Sequence, residues 1–353
     1  MNNRAGDFVL QPSGYKSFVP RDLPPEPSVK FDEEMLALLS EADRKLGRLD
    51  GVTQILPNPE LFVAMYVQKE AVLSSQIEGT QASLTDVLEI NTKDEKREDV
   101  GEVVNYVGAM NYGLERLKSF PLCLRLIKEI HVQLLKNGRG SSRNPGEFRK
   151  TQNWIGPAGS TLMNARFVPP TVPDMERALD NLENFIYVDD NIPVLVKIAL
   201  IHAQFESIHP FLDGNGRMGR LLITFWLCYK GILSQPLLYL SYYFKKNRLE
   251  YYDRLMAVRE KGDWEGWIKF FLRGVAMTAD EATSTAKEII HLKSKCEGML
   301  GAQNYNSPYY TLLDSIFIHP IITVNDAAEV LKVTYPTASR IVENFCGLNI
   351  YMT

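Results

Sequence analysis

The residues from His209 to Arg220 read HPFLDGNGRMGR, and the rest of the chain is arranged around this stretch. Val194 to Ile208, before it, and Leu221 to Tyr229, after it, are mostly apolar. Each flank predicts a buried helix. Pro210 should end the first helix, because proline lacks a backbone N–H and clashes with the preceding turn. The stretch therefore predicts a sharp junction between two core helices.

The composition of this junction predicts a phosphate site. Gly214 and Gly216 allow the backbone conformations of a tight loop that surrounds an anion. The second helix should begin between Asn215 and Arg217, so that its free N–H groups and the positive end of its dipole face the loop. Arg217 and Arg220 lie one turn apart on one helical face, where both can reach the same triphosphate.

Three side chains of the stretch suit chemistry on a phosphate. A neutral imidazole at His209 could take a proton from an incoming hydroxyl, although a histidine here could also simply cap the helix. Asp213 could hold Mg²⁺, which prefers one or two carboxylates together with phosphate and water; a loop cap is the alternative. The amide of Asn215 could donate to a phosphate oxygen beside the loop N–H groups of Gly214 and Gly216.

Two other interpretations of this region predict different chemistry. GNGRMG at 214–219 fits a dinucleotide-binding GxGxxG pattern, but that fingerprint needs a preceding strand and an acidic residue about twenty positions later. A helix is predicted before it, and no acidic residue follows until Glu250. His202, Glu206 and His209 share a helical face and could ligate a metal. A metal hydrolase, however, would leave the glycines and arginines without a role.

The stretch resembles the signature of the Fic/Doc family, HPFx[DE]GNGRxxR, at every fixed position. The resemblance implies a mainly α fold, a Fic-type helical core with a β-hairpin flap. It implies transfer of AMP from ATP to a Tyr, Thr or Ser hydroxyl of a protein, possibly this chain itself. His209 would be the general base and Asp213 the Mg²⁺ ligand. The ATP-binding residues that the resemblance carries over from the signature are Gly214, Asn215, Gly216, Arg217 and Arg220.

An upstream segment resembles the inhibitory motif of this family, [ST]xxxE[GN]. It reads SSQIEG from Ser74 to Gly79. In the family the glutamate pairs with the second arginine of the signature, which makes Glu78 and Arg220 the matching pair. A carboxylate there competes with the γ-phosphate for the same donors and so also borders the ATP site. Without the signature, the segment would be an ordinary helix end with Gly79 as its C-cap.

Two further segments have counterparts in the family. Residues 137–170 are rich in glycine and proline around two short apolar pieces. They predict a hairpin with a long loop, the only strand pair expected in the first 300 residues. Residues 152–168 resemble the flap, which pairs with an extended target segment in that family. Residues 245–252 resemble the segment at the adenosine end of the ATP site, with Asn247 as a hydrogen-bonding residue. A helix cap is the alternative for Asn247.

The rest of the sequence predicts further helices and three regions that flank the Fic core. Five prolines before residue 28 predict an extended arm, and the charged residues 92–99 predict an exposed loop. Apolar periodicity predicts helices near 31–49, 58–77, 99–118, 121–136, 173–187 and 237–279. The predicted domains are 1–98, the arm and helices with the inhibitory motif; 99–280, the Fic core; 281–303, a connecting helix; and 304–353, a winged-helix-like module.

The last module motivates an alternative function, a DNA-binding regulator whose Fic core senses a nucleotide. Its helix-turn-helix pattern supports this alternative. Arg340 is the one base-reading cation of the proposed recognition helix, and Glu343 opposes it. The phosphate contacts expected of a DNA-binding protein are therefore sparse, and a protein-docking module fits equally well.

Composition sets the expected compartment. The formal net charge of −4 gives no global basic field for nucleic acid or membrane. The sequence has no apolar run long enough to span a bilayer and no apolar signal segment at its start. Four scattered cysteines without a CxxC pattern predict free thiols in a reducing compartment. These features predict a cytoplasmic protein with no membrane partner.

Overall fold

The computed structural model describes residues 3–56, 59–88, 98–188, 191–318 and 321–350. Within these ranges the chain is mainly helical and has one two-stranded sheet. The predicted mainly α fold is confirmed. The elements are β1 (Gly6–Leu10), β2 (Lys16–Pro20), α1 (Glu33–Thr53), α2 (Pro59–Ile77), α3 (Leu84–Leu88), α4 (Glu98–Leu117), α5 (Leu124–Leu134), α6 (Val172–Tyr187), α7 (Val194–Ile208), α8 (Asn215–Tyr229), α9 (Ser241–Lys246), α10 (Arg248–Lys261), α11 (Trp264–Ala302), α12 (Ser307–Ile318), α13 (Val324–Leu331) and α14 (Tyr335–Gly347).

The proline-rich arm contains the sheet. β1 and β2 pair antiparallel, with Gly6 opposite Pro20 and Leu10 opposite Lys16. The expectation that the only strand pair lies in the 137–170 segment is therefore wrong. The Phe18 N–H donates to the Val168 carbonyl oxygen at 2.9 Å, so the hairpin packs against the end of the glycine-rich segment rather than lying over the surface as a plain arm.

The segment expected to be the flap is a loop closed by one pair of residues. The N–H groups of Ile155 and Phe167 donate to each other's carbonyl oxygens at 2.8 and 3.1 Å. Gly156 and Pro157 follow this bridge directly. Glycine weakens a strand and proline cannot donate to its ladder, so the pairing does not continue. The loop turns back as a hairpin does, but it lacks regular strands.

Helix α7 forms the centre of the molecule, because every described side chain from Leu195 to Ile208 is buried. Helix α8 packs against it, and the indole N–H of Trp267 on α11 donates to the Ala199 carbonyl at 2.8 Å. The predicted helix ending near residue 279 and the predicted connecting helix from 281 form one continuous α11. No proline or glycine interrupts that helix between Gly274 and Gly298.

The last three helices enclose a small core of their own. Leu312, Ala327, Ile341 and Phe345 are among its buried members. Helices α13 and α14 have the spacing of a helix-turn-helix, and Thr323 with Asp326 forms a capping box that begins α13. Residues 321–350 contain helices and no strand of a wing.

Two predicted features fall partly outside the described residues. Residues 92–97 of the predicted charged loop lie outside the described residues, and so does Asn58, the predicted start of a helix. In the part of the chain that is described, no helix is long and apolar enough to cross a membrane.

Candidate functional site at the junction of α7 and α8

His209 ends α7 in a left-handed backbone conformation, with φ of 49° and ψ of 61°. Its N–H donates to the Phe205 carbonyl at 2.9 Å. Its own carbonyl accepts from Arg149 Nε at 3.1 Å and from Asn153 Nδ2 at 3.2 Å. A left-handed conformation costs a non-glycine residue about 1–2 kcal/mol, so the surrounding contacts must hold it. These contacts fix where the imidazole points.

The imidazole of His209 is neutral at physiological pH. Burial lowers its pKa to about 3, and the positive charge of Arg259 adds to this effect. Among the described residues its Nδ1 is buried without a hydrogen-bond partner. The side chain lines two adjoining cavities, of about 130 and 420 Å³. A neutral ring beside an open volume can accept a proton from a bound hydroxyl.

The smaller cavity is bounded by the loop that begins α8. Gly214 has φ of 77°, a conformation that favours glycine, and α8 starts at Asn215. The Gly214 N–H donates to Asp213 Oδ1 at 2.6 Å. The first N–H groups of an α-helix have no partner within the helix, so this end of α8 presents donors to the cavity. Arg139, which the sequence did not indicate, lines the same cavity.

The Asn215 amide has a task that the sequence did not indicate. Its Oδ1 accepts from the Phe211 N–H, and its Nδ2 donates to the Phe211 carbonyl, both at 2.8 Å. The side chain is buried and both ends are used. The amide thus closes the loop on itself with one of its two N–H donors, and donation from this amide to a phosphate stays a prediction.

Arg217 is paired with a carboxylate that the sequence did not indicate. Its Nη1 donates to Glu102 Oε2 at 3.2 Å, and both side chains are almost fully buried. Asp213 Oδ1 lies 3.6 Å from Arg217 Nη2. Thr80 also donates to Glu102 Oε2, at 2.9 Å. Arg217 is thus held at the mouth of the small cavity by α4.

Arg220 is held by the last turn of α2. Its Nη2 donates to Glu78 Oε1 at 2.7 Å, and its Nε donates to Ser74 Oγ at 2.8 Å. Burial would raise the pKa of Glu78, but the charge and hydrogen bond of Arg220 outweigh it and lower that pKa. A Cβ at Gly216 would collide with Glu78 Oε1, so glycine permits the close approach. Gly79, with φ of 103°, ends the segment.

His131 and Arg149 complete the frame of the junction, and the sequence indicated neither. His131 Nδ1 accepts from the Gly146 N–H at 2.9 Å, so its Nε2 carries the proton and donates to the Asp213 carbonyl at 3.0 Å. The ring stacks on Phe211 with centroids 3.7 Å apart. Burial lowers the pKa of His131 to about 4, so this uncharged arrangement persists near neutrality.

The arrangement does not support the metal-hydrolase interpretation. The imidazole of His202 makes two hydrogen bonds, one with the Gly219 carbonyl and one with the Tyr251 hydroxyl, both at 2.9 Å. Among the described residues there is no group of three or more His, Cys, Asp or Glu side chains that could hold a metal. Burial raises the pKa of Glu206 to about 7.

Comparison with known families identifies this arrangement. Residues 36–115 match the N-terminal model of the Fic/DOC family, and residues 121–227 match the Fic/DOC family model itself. Together the two models cover more than half of the chain. The chain belongs to the Fic/DOC family. The second model includes the whole stretch from His209 to Arg220, and the first includes Ser74, Glu78 and Gly79.

Curated relatives are named as protein adenylyltransferases. The chain is 28% identical over 204 residues to a probable protein adenylyltransferase of Aquifex aeolicus, covering 57% of this chain and 58% of that protein. It is 30% identical over 242 residues to the protein adenylyltransferase Fic of Culex quinquefasciatus, covering 64% of this chain and 44% of the relative. The chain thus spans about half the length of the curated relatives that it matches.

Solved structures share the fold. A Fic family protein from Desulfovibrio desulfuricans aligns with a TM-score of 0.62 at 21% identity, over 88% of each chain. A Fic-domain signalling protein from Bacteroides thetaiotaomicron aligns with a TM-score of 0.54 at 18% identity, over 72% of this chain and 97% of the other.

The Fic core brings together most, but not all, of the residues that the sequence indicated. His209, Asp213 and the loop from Gly214 to Arg217 surround the small cavity, and Arg220 with Glu78 lines the larger one. Asn247 stands between α9 and α10, and its amide donates to the Tyr243 carbonyl of α9 at 3.0 Å. Its neighbours Arg248, Tyr251 and Tyr252 line the larger cavity.

Proposed function

We propose that this Fic protein transfers AMP from ATP to a Tyr, Thr or Ser hydroxyl of a protein. The observation that carries the proposal is the neutral imidazole of His209, fixed beside the N-terminal loop of α8, the helix whose first turns carry Arg217 and Arg220. The names of the curated relatives support the same chemistry. ATP and a protein that presents the hydroxyl are the substrates, and a copy of this chain is one candidate for that protein.

The chemistry is a nucleophilic displacement at the α-phosphorus. The imidazole of His209 accepts the proton of the target hydroxyl, whose oxygen then forms a bond to the α-phosphorus. The bond from that phosphorus to the β-phosphate oxygen breaks, and pyrophosphate leaves. The first N–H groups of α8 and the guanidinium of Arg217 bind the phosphate oxygens as charge develops on them.

A Mg²⁺ ion fits the small cavity. Asp213 borders it with a partly exposed carboxylate, and one carboxylate with phosphate oxygens and water satisfies magnesium. When bound there, the ion would neutralise phosphate charge. Gly214 supports this role, because its N–H to Asp213 Oδ1 orients the carboxylate and leaves Oδ2 available.

The flap segment suits an extended target. Ile155 and Phe167 form one bridge; Trp154, just before the bridge, and Met163, within the loop that it closes, are exposed. A target strand would pair with backbone groups beside this bridge, a mode of recognition that tolerates many sequences. A hydroxyl carried by such a strand would reach the larger cavity where His209 lies.

Glu78 acts as an inhibitor in this proposal. Its carboxylate holds the guanidinium of Arg220, which would otherwise bind the γ-phosphate. ATP that binds while this pair persists has its α-phosphate misplaced. Release of Glu78 from Arg220 therefore activates the enzyme. Ser74, which accepts from the same guanidinium, keeps Arg220 oriented in both states.

The test uses ATP labelled at the α- or the γ-phosphate, incubated with the protein and a cell lysate in the presence of Mg²⁺. AMP transfer predicts protein-bound label from α-labelled ATP alone, and mass spectrometry then gives the modified residue. Label from γ-labelled ATP would show phosphoryl transfer and overturn the proposal. His209→Ala, which leaves the phosphate-binding groups in place, is the matched inactive control.

The cytoplasm is the compartment that fits this activity. All four cysteines are free thiols, as expected in a reducing environment.

The alternative function, DNA binding, is supported only by the helix pair α13 and α14. Arg340 is exposed on α14, but so is Glu343. A gel shift with random duplex at low salt tests this alternative, and a shift that salt abolishes would support it.

A further inference from the structure

A large cavity between α2, α11 and α12 shares no lining residue with the two cavities that His209 lines. Its volume is about 520 Å³, larger than the cavity that His209 lines. Most of its wall is apolar. Phe62 and Met65 of α2, Ile289 of α11, and Phe317 and Ile318 of α12 contribute to it. The volume falls in the range of small-molecule sites.

Two polar groups of α2 face this apolar volume. Tyr66 is only 4% exposed, and its hydroxyl, although close to Thr285 and Tyr239, makes no hydrogen bond of standard geometry among the described residues. Lys69 also lines the cavity. Its ammonium group lies 4.2 Å from the ring centroid of Tyr239 and 5.8 Å from that of Tyr66. A buried hydroxyl without a partner costs free energy unless a ligand or water satisfies it.

Lys69 is the cation of this wall that is left for an acid group, although the carboxylates of Glu281 and Glu288 also act on this part of the fold. Lys293, the other cation of the wall, is already paired with Asp314 at 2.7 Å. Lys69 makes no ion pair within 4 Å in the described part of the chain; Glu281 acts on it only at longer range, and burial lowers the pKa of this lysine. An anionic group at this point would meet both the Lys69 ammonium and the Tyr66 hydroxyl.

We propose that this cavity binds an amphipathic anion: an apolar acyl or aromatic body against Phe62, Ile289 and Phe317, with a carboxylate or sulfonate on Lys69 and Tyr66. The apolar body replaces water against the wall. The acid group uses the one cation of the wall that lacks an ion pair among the described residues, and the buried hydroxyl of Tyr66.

Helix α2 connects this site to the α7–α8 junction. Phe62, Tyr66 and Lys69 lie between its first turn and its middle, Ser74 lies in its last turn, and Glu78 follows its last residue. A ligand that repositions α2 changes the hold of Glu78 on Arg220. This regulatory consequence rests on the proposed function, whereas ligand binding itself does not.

Two fluorescent probes with the same aromatic body test the binding site: 8-anilinonaphthalene-1-sulfonate and its neutral analogue N-phenyl-1-naphthylamine. The wild type should bind the sulfonate at least about tenfold more tightly, the effect of one charge-assisted contact. Lys69→Met should remove that preference and keep the neutral probe. Ile289→Trp, which fills the cavity, should weaken both. Decanoate should displace the sulfonate if the site takes an acyl ligand, and 2-naphthoate should displace it if the site takes an aromatic one.

Lys230→Met is the matched control, because Lys230 also lies over aromatic rings, 5.0 Å from that of Trp226, but does not line this cavity. It should bind both probes as the wild type does. Equal affinity of the wild type for the two probes, a preference that survives Lys69→Met, or displacement by neither acid would overturn the proposal.

The regulatory consequence has a separate readout in AMP transfer. A saturating amphipathic acid should change transfer by the wild type severalfold and leave Glu78→Gly unchanged, because that variant has no inhibitory carboxylate. Binding without any change in wild-type transfer would overturn the regulation alone. Failure of Glu78→Gly to exceed the wild type without ligand would instead count against the proposed function.

Discussion

Arg217 and Arg220 lie one turn apart on α8, and each donates to a carboxylate from a helix distant in sequence, yet the two pairs differ. The Glu102 side chain, which holds Arg217, is 4% exposed, and the Glu78 side chain, which holds Arg220, is 33% exposed. Glu102 lies in the second turn of α4, whereas Glu78 follows the last residue of α2. One carboxylate is enclosed, and the other lies at a helix end that borders a cavity.

The difference indicates which arginine has an exchangeable partner. Removing Glu102 from Arg217 would leave two buried charges unpaired, which is costly. Glu78 can move toward solvent, and a phosphate can take its place on Arg220. We infer that the Arg217 pair maintains the frame of the site, while the Arg220 pair is the part that opens. The following variants test this difference, beginning with the largest effect.

Glu102→Ala should destabilise the protein by about 3–5 kcal/mol, because the guanidinium of Arg217 stays buried without its carboxylate. Urea unfolding measures the change. Glu115→Ala, on the same helix but in an exposed pair with Lys118, is the control and should stay within about 0.5 kcal/mol of the wild type. Equal stability of the Glu102 variant and the control would contradict a structural role for the pair of Arg217 with Glu102.

Arg217→Ala should weaken ATP binding roughly 10- to 100-fold, the loss of one charge-assisted donor to phosphate. Calorimetry measures the affinity, with circular dichroism to show that the variant is folded. Arg177→Ala, at an exposed position of α6, should bind ATP as the wild type does. An unchanged affinity in Arg217→Ala would contradict the assignment of this residue to the triphosphate.

Glu78→Gln should raise AMP transfer about tenfold, as expected if the competing carboxylate costs productive binding about 1.4 kcal/mol. The glutamine keeps the side chain but loses the charge, so a backbone effect of glycine does not enter. Arg220→Ala should not show this gain, because it removes the γ-phosphate partner as well. A double variant that resembles Arg220→Ala is expected for coupled sites; independent effects would separate the two residues.

The smallest expected effect is the change of the His209 NMR signals with pH. Its pKa of about 3 keeps the imidazole neutral, so its NMR signals should not shift between pH 8 and 5. A folded-state pKa lowered below the ordinary value of 6.5 means that the folded state binds fewer protons there. This group therefore reduces stability as the pH falls below about 6.5. A midpoint near 6.5 for the signal missing from His209→Ala would contradict the neutral base.

The sequence was most informative where the chemistry is local. The twelve residues from His209 contain the end of one helix, the loop and the start of the next, so apolar periodicity and proline and glycine placement predict their arrangement. The contact of Glu78 with Arg220 was expected only because a family motif links two distant segments. Nothing in the helical pattern of α4 distinguishes Glu102 from the other charged residues of that helix.

The errors and omissions of prediction have physical causes. The amide of Asn215 also satisfies the backbone of Phe211 four residues earlier, a loop contact that the sequence did not indicate. Prolines suggested an arm without strands, although Phe18 is buried and aligns β2 with Val168. His131 and Arg149 bond to backbone carbonyls of the junction, and such partners leave no pattern in the sequence.

The most direct test of the central claim compares incorporation of label from α-labelled ATP by three proteins: wild type, Glu78→Gly, and Glu78→Gly combined with His209→Ala. The account predicts more protein-bound AMP with Glu78→Gly than with the wild type, and none with the double variant. The carboxylate of Glu78 would then hold back a reaction that needs the imidazole of His209. Equal incorporation by Glu78→Gly and the wild type, or label that persists in the double variant, would contradict it.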